Sequence, residues 1–262
     1  MRTWPALEIQ QADDDELIQA FLIDFNLAAI EGFRFFFLTT DDRDRAAAAL
    51  RAEFRGIDAQ SIDVPDEDWA ARSQAALRAI TVGALTIAPP WNVEGRPSTI
   101  VIQPSMGFGT GHHATTRLCL AALQEIDVRG RTVIDVGTGS GVLAIAARRL
   151  GASGVLAIDD DPDAIAAAEA NVALNHESRI ALEIGDFRSA KIGQFDLVTA
   201  NLTGALLIAS AERLESLAIP GGHLILSGFM DHEEREVLRA FEGSTVEWRA
   251  QEGEWVCFRL TV

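Results

Sequence analysis

The fold is read most clearly at Val133-Ile134-Asp135-Val136-Gly137-Thr138-Gly139-Ser140-Gly141-Val142-Leu143. A β-branched run enters a glycine-rich turn, and an apolar, helix-forming segment leaves it. Glycines let the backbone turn tightly and approach a ligand closely, and the N-terminus of the next helix presents N–H groups to it. The glycines fall as G-x-G-x-G, with Val142 where a dinucleotide fingerprint has a third Gly or Ala. Asp135 at the strand tip also suits a pyrophosphate badly, because like charges repel. A carboxylate there suits the ammonium group of an amino-acid moiety.

The next strands end in the same way. Leu156-Ala157-Ile158-Asp159 closes the second strand twenty-two residues after Gly137, where a carboxylate accepts from both ribose hydroxyls. Gly185-Asp186-Phe187 follows the third strand; Asp186 is a candidate acceptor for an adenine amino group and Phe187 a candidate wall for the ring. Any one acid at such a place is as readily a turn or capping residue. Three acids on successive strands fit a nucleoside with a cationic amino-acid tail, so the expected cofactor is S-adenosylmethionine rather than NAD. A second glycine motif, Gly109-Thr110-Gly111-His112-His113-Ala114, matches G-x-G-x-x-A literally. Pro104, Ser105 and Met106 separate it from the preceding strand, and no strand-closing acid follows about 20 residues later. It reads instead as a donor-rich loop opening a helix over 115–126, with Thr110 in the loop and Thr115 and Thr116 as hydroxyl donors to a ligand.

Working outward, strands end at Val136, Asp159, Ile184, Asn201 and about Gly228, with helices expected over 142–150, 163–175, 203–217 and 231–241. Asp231 with Glu234 resembles a capping box. This alternation means βαβ crossovers and a doubly wound parallel sheet. The segments 246–249 and 255–260 are too close for a crossover helix, so they form a terminal antiparallel hairpin. The N-terminal part reads as a small α/β unit: a strand over 6–10, a helix through Leu17, Ile18, Phe21, Leu22 and Phe25, a buried strand over 33–38, a helix over 42–54 and a strand over 57–64. That order suggests a ferredoxin-like unit of about 60 residues. The expected domains are 1–64 for substrate recognition, 65–94 as a connector helix and linker, and 95–262 for catalysis.

Composition bounds the function. The 262 residues are 48% hydrophobic, and 39 Asp and Glu against 22 Lys and Arg give a net charge of -17. That acidity disfavours direct nucleic-acid binding, which depends on cations meeting phosphates, and suits a basic partner. No apolar run approaches the roughly 18 residues of a membrane span, and Met1-Arg2-Thr3-Trp4-Pro5 lacks a secretory apolar core; a cytoplasmic, monomeric protein is expected. Cys119 and Cys257 lie far apart and share no metal-ligand spacing. The adjacent His112 and His113 cannot point the same way, so no metal site is expected. With no tyrosine, no step can use a phenol.

Phe108-Gly109-Thr110-Gly111-His112-His113-Ala114-Thr115-Thr116, Asp135-Val136-Gly137-Thr138-Gly139-Ser140-Gly141, Ala200-Asn201-Leu202 and Leu226-Ser227-Gly228 together resemble the bacterial ribosomal protein L11 methyltransferases, the PrmA type. Asp68-Trp69, Pro89-Pro90-Trp91 and Glu252-Gly253-Glu254-Trp255-Val256 share the resemblance, which covers about 66–262. Departures from the commoner pattern stand at Gln103-Pro104-Ser105-Met106 and Thr203-Gly204. The resemblance implies a class I methyltransferase fold: a Rossmann-like α/β domain with a seven-stranded sheet and terminal hairpin, behind a small ferredoxin-like α+β N-terminal domain. It implies methyl transfer from S-adenosylmethionine to lysine and α-amino groups of a basic ribosomal protein, with cofactor contacts at Thr116, Gly137, Asp159 and Asn201.

Read from the residues, Asn201 ends the fourth strand at the rim where open α/β sheets place ligands. Its side-chain oxygen and the Leu202 carbonyl are candidate acceptors for the amine. The sequence Asn201-Leu202-Thr203 lacks the rigid prolines and aromatic ring on which a flipped base stacks. The expected cofactor-binding set is Phe108, Thr110, Thr115, Thr116, Asp135, Gly137, Gly139, Gly141, Asp159, Asp186, Phe187 and Asn201, with Asn201 and Leu202 catalytic. Phe108 is equally readable as a core anchor. Alternative readings are methyl transfer to another protein lysine or a small amine, and a non-enzymatic S-adenosylmethionine-binding module of ribosome assembly.

Overall fold

The computed structural model describes residues 3–9, 18, 21–22, 25–31, 33–54, 57–65, 77–93, 99–104 and 111–262. The chain forms two compact units, Met1–Ala76 and Leu77–Val262. In the first, β1 (Thr3–Ile9), β2 (Leu27–Glu31), β3 (Arg34–Phe37) and β4 (Ala59–Pro65) form an antiparallel sheet in the order β2-β3-β1-β4. Helix α1 (Thr40–Glu53) starts at Thr39, whose hydroxyl accepts from the Asp42 N–H at 3.1 Å. Its Ala46, Ala47 and Leu50 pack with Leu7, Ile9, Phe35 and Phe37, and Ile18 and Leu22 join them.

Two expectations for this unit change. The single strand over 33–38 is a hairpin, with β2 unforeseen. The aromatic run is not uniformly core: Phe33 sits in the hairpin turn at 52% exposure and Leu38 follows the strand at 61%, whereas Phe35, Phe36 and Phe37 are buried. A strand of four residues has no room to bury six in a row. The expected helix through Leu17 and Phe25 lies mostly outside the described residues, as does most of the one expected after Pro65.

In the second unit, β5 (Ile80–Val82), β6 (Leu85–Ala88) and β7 (Thr99–Val101) form a three-stranded sheet. Part of the expected connector is therefore a hairpin, turning at Gly83 with φ +57°. Pro90–Asn92 is a single 3-10 turn. The large sheet has the order β10-β9-β8-β11-β12-β14-β13, from β8 (Thr132–Val136), β9 (Gly154–Asp159), β10 (Ile180–Ile184), β11 (Phe195–Asn201), β12 (Ala218–Met230), β13 (Thr245–Glu252) and β14 (Trp255–Thr261). Strands β8 to β12 are parallel; β14 runs antiparallel to β12 and β13. The expected seven-stranded sheet with its terminal hairpin is thus the observed architecture.

Helices α2 (Ala114–Gln124), α3 (Val142–Arg149) and α4 (Pro162–Leu174) and the shorter α5 (Gly204–Ala209), α6 (Ala211–Ser216) and α7 (Glu234–Ala240) complete the unit. One core joins α2 and α3 to β6 and β7; the other gathers Leu207, Leu214, Val237 and Phe241 of the later elements over Leu224, Leu226 and Phe258. The expected helix over 203–217 is broken at Ser210, whose φ of -118° is not helical. The capping carboxylate before α7 is Glu233, which accepts from the Met230 N–H at 2.8 Å, not Glu234, which pairs with Arg249.

The strand order reverses between β8 and β11. Such a switch point opens a crevice at the carboxyl ends of the strands, and the glycine turn and Asn201 both end there.

The buried Phe37 and exposed Phe33 give a direct contrast. Phe37→Ala is expected to cost about 3–5 kcal/mol and Phe33→Ala under about 0.5 kcal/mol in urea unfolding followed by tryptophan fluorescence; similar losses for both contradict this packing.

Candidate active site

The site begins where β8 stops. Gly137, Gly139 and Gly141 take φ values of +67°, +53° and +80°, a left-handed backbone that disfavours other residues. The turn folds back on β9: the Gly137 and Thr138 N–H groups donate to the Ile158 carbonyl at 2.9 and 3.2 Å. The Gly139 N–H donates to Asp159 Oδ2 at 2.9 Å. Gly141 then starts α3 as its N-cap, with Val142 as the first helical residue.

Asp135 lies under this turn and is 1% exposed. Thr138 Oγ1 donates to one of its oxygens at 2.7 Å and Thr199 Oγ1, on β11, to the other at 2.6 Å. Burial raises its carboxyl to about 6, against the opposing pull of the bonds from Thr199, Thr138 and the Ala144 backbone. Asp135 therefore cross-links β8, the glycine turn and β11 rather than standing open at the strand tip.

An open cleft runs along the rim, lined by Gly137, Ile158, Asp159, Asp160, Gly185, Asp186, Phe187, Arg188, Leu202 and Leu206. It brings together five of the expected residues: Gly137, Asp159, Asp186, Phe187 and Leu202. A carboxylate has about four acceptor positions. Asp159 uses one for Gly139 and one for the Asp161 N–H at 3.1 Å, leaving two, the number a ribose diol needs. Asp186 accepts from the backbone and guanidinium of Arg188, at 2.9 and 2.8 Å on Oδ1, and that pairing holds its carboxyl below the usual range. Asn201, half-buried, ends β11 opposite Ser227. Leu202 turns its side chain onto the glycine turn: a Cβ on Gly137 would lie 2.5 Å from Leu202 Cδ2.

The start of α2, expected from sequence to offer hydroxyl donors to the ligand, is not among the residues lining this cleft. Thr115 and Thr116 are both buried, but their hydroxyls differ. Thr115 Oγ1 bonds His113 Nδ1 at 2.8 Å, so it is already engaged. Thr116 Oγ1 is buried with no partner among the described residues, a costly state unless something else satisfies it. His113 caps the helix and stacks edge-on against Trp255, ring centroids 4.7 Å apart. Arg117 pairs with Glu252 at the tip of the terminal hairpin and also bonds the His112 carbonyl. Phe108 and Thr110 lie outside the described residues.

Four residues escaped the sequence reading. Arg188 and Asp160 line the cleft; the Asx turn Asp186-Phe187-Arg188 is the signal for the first. Asn171 is buried on α4 and Asn175 at its C-cap; this alanine-rich helix shows no such role in its spacing. Asn171 accepts from the Gln103 N–H and donates to the Ser140 carbonyl, at 2.8 and 2.9 Å, and Asn175 makes a reciprocal pair with the Val101 backbone. The chain after β7 is thereby tied to the glycine turn. Among the described residues no group of three metal-ligating side chains occurs, and no helix is long and apolar enough to cross a membrane.

A family model described as ribosomal protein L11 methyltransferase (PrmA) matches residues 12–262. The chain belongs to this family. A ribosomal protein L11 methyltransferase of Cupriavidus taiwanensis is 38% identical over 84% of this chain and 76% of its own length. One from Myxococcus xanthus is 37% identical over 82% and 77%. The crystal structure of a ribosomal protein L11 methylase from Lactobacillus delbrueckii subsp. bulgaricus superposes with a TM-score of 0.66, at 32% identity, over 70% of this chain and 98% of that one.

Members of the PrmA family are class I methyltransferases that use S-adenosylmethionine, and the residues here fit that cofactor. The cleft is acidic, with Asp159, Asp160 and Asp186 against Arg188. The Gly139 N–H, which a dinucleotide site would turn to a phosphate, is held by a carboxylate. The Thr116 hydroxyl, without a partner among the described residues, is available to a polar ligand.

Asp135 supplies a test. Its carboxyl is raised from 3.8 to about 6, so ionisation destabilises the fold by up to about 3 kcal/mol above pH 6, and this deficit vanishes below pH 4. Asp135→Asn is expected to melt no lower than the native protein at pH 8, with any advantage shrinking as pH falls through 6. S-adenosylmethionine affinity should fall about tenfold, since the negative charge under the turn is lost. A variant that melts far lower at pH 8 yet binds normally contradicts this role.

Proposed function

We propose that this chain methylates lysine and α-amino groups of ribosomal protein L11, with Asn201 and Leu202 orienting the amine. The observation that carries this reading is the contact of Leu202 with the glycine turn: it sets the end of β11, with its two acceptors, directly beside the cofactor cleft. Thr116, Gly137, Gly139, Gly141, Asp159, Asp186 and Phe187 are assigned to cofactor binding, with Asp135 supporting the turn from beneath. Asp159 takes the ribose hydroxyls, Asp186 the adenine amino group, and Phe187 the ring.

The bound cofactor supplies a methyl group already activated by a sulfonium. What remains for the protein is positioning and exclusion of water. The amine must be neutral to react, and a free lysine with a pKa near 10.4 is almost fully protonated at pH 7. A half-buried rim beside a cation lowers that pKa. Asn201 Oδ1 and the Leu202 carbonyl then accept the two N–H bonds of the neutral amine and aim its lone pair. The lone pair forms the N–C bond as the C–S bond breaks with its electrons left on sulfur, and the surplus proton on nitrogen passes to water.

The partner's charge agrees. A net charge of -17 attracts a cationic ribosomal protein and speeds encounter. In the first unit Asp41, Asp44, Glu53, Asp58 and Asp63 are exposed, and this unit is assigned to substrate recognition.

The chain incubated with labelled S-adenosylmethionine and a ribosomal protein extract is expected to label one protein, L11. Asn201→Ala should lower kcat on the order of tenfold to a hundredfold while cofactor Kd stays within about twofold. Label in RNA or in no macromolecule overturns the reading; full turnover by Asn201→Ala overturns the assignment of that residue.

A further inference from the structure

We infer that Gly228 is a positioning residue for methyl transfer: it is the bulge that fixes the direction of the Leu202 carbonyl. The inference rests on the reading of Leu202 as an amine acceptor and adds the element that aims it.

Three observations converge. The pairing of β12 with β14 slips at this point: Ser227 faces Cys257 and Phe229 faces Val256, so Gly228 is an extra residue without a partner across the ladder. Its φ is +96°. A bulge with a left-handed glycine re-aims the chain next to it. What it re-aims against is the Leu202 backbone. A Cβ on Gly228 would fall 2.2 Å from the Leu202 oxygen, 2.7 Å from its carbonyl carbon and 2.9 Å from its nitrogen. These are backbone atoms, so no side-chain rotation relieves the overlap. The Leu202 N–H is meanwhile held by the Ser227 carbonyl at 2.9 Å.

Leu202 is therefore fixed from two sides by glycines that face different parts of it. Gly137 receives its side chain and Gly228 its peptide group. The first contact couples Leu202 to the cofactor turn; the second sets where its carbonyl points. Residue 228 itself does not line the cofactor cleft, so replacing it acts on the Leu202 peptide group while the Leu202 side chain keeps its place against Gly137. The effect must also depend on the amine. A neutral primary amine donates two N–H bonds, a monomethylated one donates one, and a neutral dimethylated amine donates none. Only the earlier transfers use the carbonyl.

Gly228→Ala tests this beside Gly130→Ala, which has a similar φ of +75° but nothing within 4 Å of its added methyl and so reports backbone strain alone. With ribosomal protein L11 as substrate, Gly228→Ala is expected to lower kcat for the first methyl on the order of tenfold to a hundredfold. The rate from dimethyl to trimethyl lysine and the cofactor Kd should each stay within about twofold, and Gly130→Ala should match the native rates. Should Gly228→Ala not fold, Thr203→Gly serves: Thr203 is exposed, and glycine there frees the peptide that carries the carbonyl. The same selective loss of the first transfer is expected. Equal slowing of all transfers, loss of cofactor binding in step with kcat, or native rates overturn the inference. If the native protein leaves L11 unmodified, the underlying reading fails with it; if the native protein methylates L11 and these variants do too, only the role of Gly228 fails.

Discussion

A carboxylate without access to water sits where the strand order of the large sheet reverses. Asp135 accepts from Thr138 in the glycine turn and from Thr199 on β11, and the arrangement around the crevice depends on that cross-link. It holds the turn in its left-handed form over β9 and keeps β8 and β11 in register at their carboxyl ends. Burying an ion is costly, and here the cost appears as the rise of its carboxyl to about 6. A negative charge retained under a ligand site favours a cation above it, which is the property separating this turn from one built for pyrophosphate.

The rim divides the work among residues that look alike in sequence. Asp135 supports the turn from beneath, Asp159 supports it from the rim and keeps acceptor positions open, and Asp186 faces the cleft under the hold of Arg188. The division follows from burial and from how many acceptor positions the neighbouring backbone consumes. Leu202 is the least polar member of the set, yet through two glycines it meets both the glycine turn and β12.

Two of the parallel strands were legible from the polar residue that closes them, Asp159 and Asn201, and the run 246–260 has no space for anything but a hairpin. Short strands of weak propensity were not. Leu27-Ala28-Ala29-Ile30-Glu31 carries two alanines, poor strand formers, and forms β2 through its pairing with β3. The aromatic run at 33–38 has no period, so its two exposed ends could not be told from its buried centre. Thr115 and Thr116 are neighbours of equal chemistry; only the His113 ring, placed by the helix cap, separates the engaged hydroxyl from the unsatisfied one. Asn171 and Asn175 carried no signal because their partners, Ser140, Gln103 and Val101, are distant in sequence. The Gly228 bulge depends on a register slip between strands, which single-chain spacing does not encode.

A crevice with Asp135 buried beneath it and Asp159 and Asp186 along it suits a nucleoside with a cationic sulfur and not a pyrophosphate. Calorimetric titration of the purified chain with S-adenosylmethionine, with S-adenosylhomocysteine and with NAD separates the two. Saturable heat with both sulfur compounds and none with NAD is expected. Tight binding of NAD, with no heat from either sulfur compound, rules out a site for the sulfonium nucleoside.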